Sequence, residues 1–271
     1  MILITGASGT VGSKVVRQLT AGGHEVRAMT RTGTGFRADF DDPESLRRAV
    51  SGARAVFLLT APAVPGIGHD VALLDAARAA GVATVVKLSA IGTGEVFEGR
   101  TVGAWHLAAE EAVRASAPEW TILRPSSFAS NCLGWDTTKP VPNLTGTGRQ
   151  GVIDPEDVAA VAVAALTRPG HEGRTYTLTG PELLDVPEQA RRLSVALGRT
   201  IETVDVPPAA ARQAMLASGM PEAAVEAIIL GSAWARAGHN AVLTDDVPTV
   251  LARPARSFAD WASGHLPEDF L

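Results

Sequence analysis

The nine residues "ITGASGTVG", positions 4–12, constrain this chain more than any other stretch. They put Gly6, Gly9 and Gly12 at a turn that leaves the apolar run "MILIT" and enters a helical pattern. Gly6 permits the tight turn, and Gly9 lets backbone approach a pyrophosphate with no Cβ in the way. Gly12 lets the helix lie close to the strand, while the helix N-terminal N–H groups and dipole face the negative charge. A glycine-rich turn with no ligand has the same composition. Only the context, strand before and helix after in an alternating α/β chain, points to a dinucleotide.

That context is present. Apolar or β-branched runs at 2–5, 25–30, 55–60, 84–89 and 120–123 predict strands. Several are apolar on both faces, as parallel strands covered by helices on each side must be. Helical patterns at 11–20, 43–51, 69–80, 104–115 and 155–167 fall between or after them. The alternation predicts an α/β fold of the Rossmann type, a doubly wound parallel sheet. After about residue 180 the pattern changes. A helix closed by Gly198, a strand in "TIETVDV", two helices and a C-terminal helix near 257–263 predict a smaller, mostly helical lobe. We divide the chain into a nucleotide-binding domain over 1–180, with 125–150 as a cleft-lining insertion. A lobe over 181–271 then follows that does not fold independently.

Composition narrows the function classes. The net charge of -5 argues against nucleic acid, which leaves a basic surface on its partners. The single cysteine, Cys132, has no neighbouring base and reads as a buried thiol. No run approaches the ~20 apolar residues of a membrane helix, and no basic leader precedes the first strand. The expectation is a cytoplasmic protein with a small-molecule substrate, no membrane and no metal.

The second strand ends in "AMTRT". Folds that choose NAD place an acidic residue there for the ribose 2′-hydroxyl, whereas an Arg suits a 2′-phosphate. Arg31 holds the position, which favours NADP(H) over NAD(H); a solvated surface Arg is the alternative. Asp39 and Phe40 then fall where an adenine is met, the first by hydrogen bond and the second by packing.

Together the pieces "ILITGASGTVG", "RADFDD", "AVFLLTAP", "ARAAGVATVVKLSAIG", "EWTILRPSSFASN", "IDPEDVAAVAVAAL" and "GRTYTLTGPELL" resemble the NmrA-like family of atypical short-chain dehydrogenases. They occur in the family's order over roughly the first 200 residues. The resemblance implies NADP(H) along the C-terminal edge of the sheet and a small lobe closing a cleft. It implies that Gly6, Ser8, Gly9, Thr10, Val11 and Gly12 hold the pyrophosphate and Arg31 the adenosine phosphate. Thr60, Ala61, Pro62, Ser89 and Ala90 would line the ribose and nicotinamide end. The loop over 125–131, with Pro125, Phe128 and Asn131, would roof the nicotinamide and border the substrate. Relatives of this type include NAD(P)H-dependent quinone reductases and non-catalytic sensors of the NADP(H) state.

One expected feature is missing. Short-chain dehydrogenases use a Tyr-x-x-x-Lys dyad to move the substrate proton. This chain has one tyrosine, Tyr176, with Gly180 four residues on, and Val102 and His106 stand where the dyad is expected. Carbonyl reduction by the usual dyad is therefore excluded, but hydride transfer is not, because the cofactor carries that chemistry. His106 titrates near neutrality when unperturbed and is the candidate proton source. Glu110, one helical turn on, shares its face and could pair with it. A structural role for His106, or a hydrogen bond to the cofactor ribose, is the alternative. Trp105, Phe128 and Trp135 could form an apolar pocket for a flat ligand, beside the simpler reading of core packing. His69 and Asp70 open a helix, where Asp70 reads as a cap or dipole partner. "EAIILGSAW" is compatible with a cleft cover or a homodimer face, core packing being simpler.

The expected function is an NADPH-dependent reductase of a quinone or other small conjugated or aromatic acceptor. A cofactor-sensing protein without turnover and a non-redox cyclase or isomerase on the same fold are the rivals.

Overall fold

The computed structural model describes residues 1–265, which divide into two compact units. The first is assembled from Met1–Thr93, Ala104–Arg124 and Pro155–Thr177, and the second from Gly94–Gly103, Pro125–Asp154 and residues 178–265.

In chain order the elements up to residue 125 are β1 (Ile2–Ile4), α1 (Gly12–Ala21), β2 (Val26–Thr30), β3 (Phe36–Arg37), α2 (Pro43–Val50), β4 (Ala55–Leu58), α3 (Gly68–Ala79), β5 (Thr84–Leu88), β6 (Val96–Phe97), β7 (Arg100–Thr101), α4 (Ala104–Ser116) and β8 (Glu119–Pro125). After a 3-10 turn at Ala129–Gly134 come β9 (Val141–Asn143), α5 (Pro155–Thr167), β10 (Arg174–Leu178), α6 (Val186–Leu197), β11 (Thr203–Asp205), α7 (Pro208–Ala217), α8 (Glu222–Arg236), α9 (Asp246–Leu251) and α10 (Phe258–Ser263).

Seven strands make one sheet in the order β10-β8-β5-β4-β1-β2-β3. From β3 to β8 every neighbouring pair is parallel. Successive strand residues point to opposite faces, and both faces are apolar. Leu3, Val56, Leu58 and Val85 join Leu46, Leu73, Leu74 and Val113 of α2, α3 and α4 in one buried cluster. Ile2, Ile4, Phe57 and Val86 are buried on the opposite face, where α1 packs on β1 and β2 and α5 on β4 and β5. This is the doubly wound α/β sheet the alternation predicts. The order runs outward in both directions from the β1–β4 pair, so the loops after these strands diverge at one edge. Ligands of such sheets bind at that edge.

The second unit has a separate core of Ala129, Cys132, Val141, Leu184, Leu193, Phe258 and Trp261. Asp185 caps α6 by accepting the Glu188 N–H, and Gly198, at φ 65°, ends it. The strand expected in "TIETVDV" forms only over Thr203–Asp205, parallel to β9. The elements β3, β6, β7, β9 and α9 had no counterpart in the sequence reading. Each is short. The β6–β7 hairpin turns through Glu98 and Gly99, both left-handed, at φ 50° and 72°.

Candidate active site

Thr5 anchors the glycine loop. Its hydroxyl donates to the Leu59 carbonyl and accepts the Leu59 N–H, both at 2.8 Å, which ties the end of β1 to the end of β4. The chain then turns through Gly6 at φ 62°. A Cβ at Gly12 would stand 2.1 Å from the Gly6 carbonyl oxygen, so no other residue fits there without opening the turn. Ser8, Gly9 and Thr10 are exposed, while Val11 and Gly12 are buried. No side chain caps α1 and no acidic residue occupies its first turn. Helix α2, by contrast, is capped by Asp42, which accepts from Glu44 and Ser45. The positive end of α1 is therefore left without a side-chain cap or a neighbouring carboxylate, which fits a pyrophosphate site.

At the end of β2, Arg31 is exposed, and the neighbouring Thr30 hydroxyl is buried without a partner among the described residues. An orphaned hydroxyl at this strand end fits a ribose that is to be held there. Asp39 is partly buried; its carboxylate accepts the Asp41 N–H, and its N–H donates to Ser45. Phe40 lies flat against His69, with ring centroids 4.8 Å apart and planes 12° from parallel. A cavity of about 340 Å³ opens there between Phe40, Asp41, Pro62, Val64, Gly68 and His69. The cavity thus joins two of the residues expected at the cofactor, Phe40 from the β3 loop and Pro62 from the β4 loop.

The ends of β4 and β5, where the sequence leads one to expect the nicotinamide, hold a buried polar network. Thr60 donates to Asp70 at 2.8 Å, and the Lys87 ammonium lies 2.8 Å from Asp70 and 3.5 Å from the Thr60 hydroxyl. Neither Lys87 nor Asp70 reaches solvent. Ser89 donates to Glu110 at 2.6 Å, and Arg124 and Arg114 complete the shell of Glu110. These bonds hold the Glu110 carboxyl below its usual range against the upward push of burial. The hydroxyls of Thr60 and Ser89 thus donate inward, which leaves backbone as their means of touching a cofactor. Ala61 is exposed, and Ala90 offers its carbonyl to Thr93.

His106 is the third residue of α4. Its ring stacks on Trp105, centroids 3.6 Å apart, and its Nδ1 is buried with no hydrogen-bond partner among the described residues. Two expectations are corrected here. Glu110 does not pair with His106, because its oxygens are taken by Ser89, Arg114 and Arg124. Nor does His106 titrate near neutrality. Burial, with the Lys87 charge beside it, lowers its pKa to about 4, and the opposing pull of Asp70 and Glu110 is smaller. At neutral pH it is an uncharged imidazole.

Asp70 is likewise not the helix cap its position suggested. Its carboxylate is buried against Lys87, and α3 has no side-chain cap. Lys87 was missed, although a lysine inside the apolar run "TVVKLSA" was the available signal. A charge in a doubly covered parallel strand needs a partner.

The remaining expected residues belong to the second unit. Pro125 is buried at the end of β8, and Phe128 is half-buried and bridges to Ile153. Asn131 is exposed and donates to Ser127, while Trp135 packs against the apolar core of its unit. Val102 is buried beyond the β6–β7 hairpin. Trp234 is buried and donates to Glu95 at 2.8 Å. Burial pushes the Cys132 thiol up, far from a reactive thiolate. Tyr176 is hydrogen-bonded to His171 at 2.9 Å and lies in β10, remote in sequence from any lysine at dyad spacing. No metal-binding group of side chains and no helix long and apolar enough to cross a membrane occur among the described residues.

Comparison with known proteins agrees with this geometry. The chain is 39% identical, over 98% of each chain, to the (4-alkanoyl-5-oxo-2,5-dihydrofuran-3-yl)methyl phosphate reductase of Streptomyces griseus. It is 35% identical, again over 98% of each, to the NAD(P)H azoreductase of Xenophilus azovorans. Among solved structures, an NADPH-dependent quinone oxidoreductase of Escherichia coli complexed with NADPH matches with a TM-score of 0.83. That match has 22% identity over 97% of this chain and 99% of the other, which speaks for the fold. The model of the NAD(P)H-binding family matches residues 6–169, from the first glycine of the loop to the end of the helix α5 region, and the chain belongs to that family.

Proposed function

We propose that the chain is an NADPH-dependent reductase of a small conjugated or aromatic acceptor that works without a Tyr-x-x-x-Lys dyad. The observation that carries this reading is the end-to-end match with two reductases whose names describe an acyl-substituted oxo-dihydrofuran and an azo compound. Both are electron-poor π systems, and neither reduction needs a tyrosine beside a simple carbonyl.

Bound NADPH supplies a hydride, and the acceptor takes that hydride plus one proton. The chain's own residues bind and orient. The cradle of Gly6, Ser8, Gly9, Thr10, Val11 and Gly12 holds the pyrophosphate through backbone N–H groups and the α1 dipole. Arg31 meets the 2′-phosphate, and Thr30 offers its unpaired hydroxyl beside it. Phe40, Asp39 and Pro62 receive the adenine. The backbone of Thr60, Ala61, Ser89 and Ala90 borders the nicotinamide end. Trp105 presents a flat apolar surface for the acceptor. His106, being neutral, donates a hydrogen bond from its ring N–H, and water supplies the proton.

The missing dyad is the one observation that favours a second reading, NADP(H) binding without turnover. One experiment separates them. Binding of NADPH and NADH is followed by fluorescence, and NADPH oxidation is then followed with quinones, azo dyes and acyl-substituted unsaturated lactones. Oxidation dependent on at least one acceptor class is expected. Tight NADPH binding with no oxidation by any of them would overturn the reductase.

A further inference from the structure

The loop between β4 and α3 has little of its own to hold it. Pro62 and Pro65 have no N–H to donate, and among the described residues no backbone N–H over 61–66 donates a hydrogen bond. Its two ends, by contrast, are fastened. Thr60, just past β4, donates its hydroxyl to Asp70 in the first turn of α3 at 2.8 Å. The other oxygen of Asp70 lies 2.8 Å from the Lys87 ammonium, which is 3.5 Å from the Thr60 hydroxyl. Lys87 comes from β5 and stands in register with Leu58 of β4. Leu58 belongs to the apolar cluster that Leu73 and Leu74 of α3 complete, so the lysine points to the same helix. One buried carboxylate thus joins the end of β4, strand β5 and the start of α3. Apolar residues of the same volume are often as stable as a buried pair. They fix no direction, whereas a fully paired polar cluster rigidifies one arrangement of the elements it joins.

What this cluster controls lies between the fastened ends. Pro62, Val64 and Gly66 of the loop, with Gly68 and His69 at the start of α3, line the cavity of about 340 Å³ that Phe40 and Asp41 share. His69, whose ring stacks on Phe40, precedes Asp70 in the chain. We propose that Lys87 is a positioning residue for the cofactor: with Asp70 and Thr60 it clasps both ends of the β4–α3 loop and so sets the cavity wall that meets the adenosine half of NADPH. The inference rests on the reading of this cavity as part of the NADPH site, but the clasp itself can be read with no cofactor present. Adenosine is common to both nicotinamide cofactors. Opening the clasp therefore weakens NADPH and NADH alike, whereas loss of Arg31 weakens NADPH alone.

The test uses the full chain and two variants that open the clasp without stranding a buried charge. Lys87→Met/Asp70→Leu removes the pair. Thr60→Val removes the hydroxyl and keeps the pair, which covers the case in which the double variant does not fold. ¹⁵N relaxation without ligand should give order parameters over 61–69 near the ~0.85 of rigid backbone in the wild type and below about 0.6 in the double variant. Thr60→Val should fall between them, and β1 and β8 should stay as rigid as in the wild type. Fluorescence titration should show NADPH and NADH each bound about tenfold more weakly by the double variant. A wild-type loop that is already mobile, a folded double variant whose loop stays rigid, loosening throughout the sheet, or unchanged affinity beside a loosened loop would overturn the proposal. A wild type that binds no NADPH while the loop responds as expected would uphold the clasp and count against the reductase reading instead.

Discussion

The Lys87 ammonium stands 2.8 Å from the Asp70 carboxylate in a part of the sheet that no solvent reaches. Burial lowers the Lys87 pKa, and the adjoining carboxylate pulls it back up. Removing one partner strands the other charge, while removing both does not. Lys87→Met should therefore cost about 3–5 kcal/mol of folding stability. The double variant Lys87→Met/Asp70→Leu should recover most of that loss. Urea melts followed by circular dichroism measure both; a single variant as stable as the wild type would contradict the prediction.

Gly12→Ala tests the cradle. Its new Cβ would fall 2.1 Å from the Gly6 oxygen, so the turn must open. A stability loss of about 1–3 kcal/mol is expected from the overpacking. NADPH affinity should fall by roughly tenfold or more as the backbone donors move. Fluorescence titration reads the second effect, and unchanged affinity would remove the loop from the cofactor site.

The proposed function gives Arg31 the choice of cofactor. A charge-assisted contact to phosphate is worth about 1.5–3 kcal/mol, so Arg31→Ala should weaken NADPH by roughly 10- to 100-fold. NADH, which has no 2′-phosphate, should bind as before. Equal losses for both would refute the assignment.

The depressed pKa of His106 has a consequence for stability with a definite sign. Unfolded, the ring takes up a proton near pH 6.5; folded, it does so near 4. Between these values the unfolded chain binds more protons, so stability falls as pH drops through that window. Above 6.5 the contribution is fully present. The Tm of the wild type should therefore decline more steeply from pH 6.5 to 4 than that of His106→Phe. Parallel curves would place the imidazole in solvent.

Much of the fold was legible because the sheet is covered on both faces. Strands β1 and β4 then read as unbroken apolar runs, β5 and β8 as apolar runs broken by charged residues, and the glycines at 22, 81 and 198 mark helix ends. What escaped the sequence was pairing at its edges. Strand β3 has two residues and the β6–β7 hairpin two per strand, too few for a period to show. At the site, the loop glycines were legible because each answers a local steric demand. Apart from Arg114, one turn from Glu110 on the same helix, the partners of Glu110 and Asp70 were not, since they come from other elements. A carboxylate at a helix start looks like a cap until the strand beside it is known to carry a lysine. His106 was singled out by its spacing, but its protonation depends on burial, which spacing does not report.

The division of the chain into units also governs how it can be made. The nucleotide-binding unit draws on 1–93, 104–124 and 155–177, and the edge strand β10 lies at the end of that span. A ribosome delivering the chain from its N-terminus exposes the edge of β8 until β10 has emerged. For all that time the segment over 125–154, which belongs to the other unit, hangs between unfinished parts. Unpaired strand edges invite wrong partners. A nascent chain halted before residue 177 therefore still carries an unpaired β8 edge.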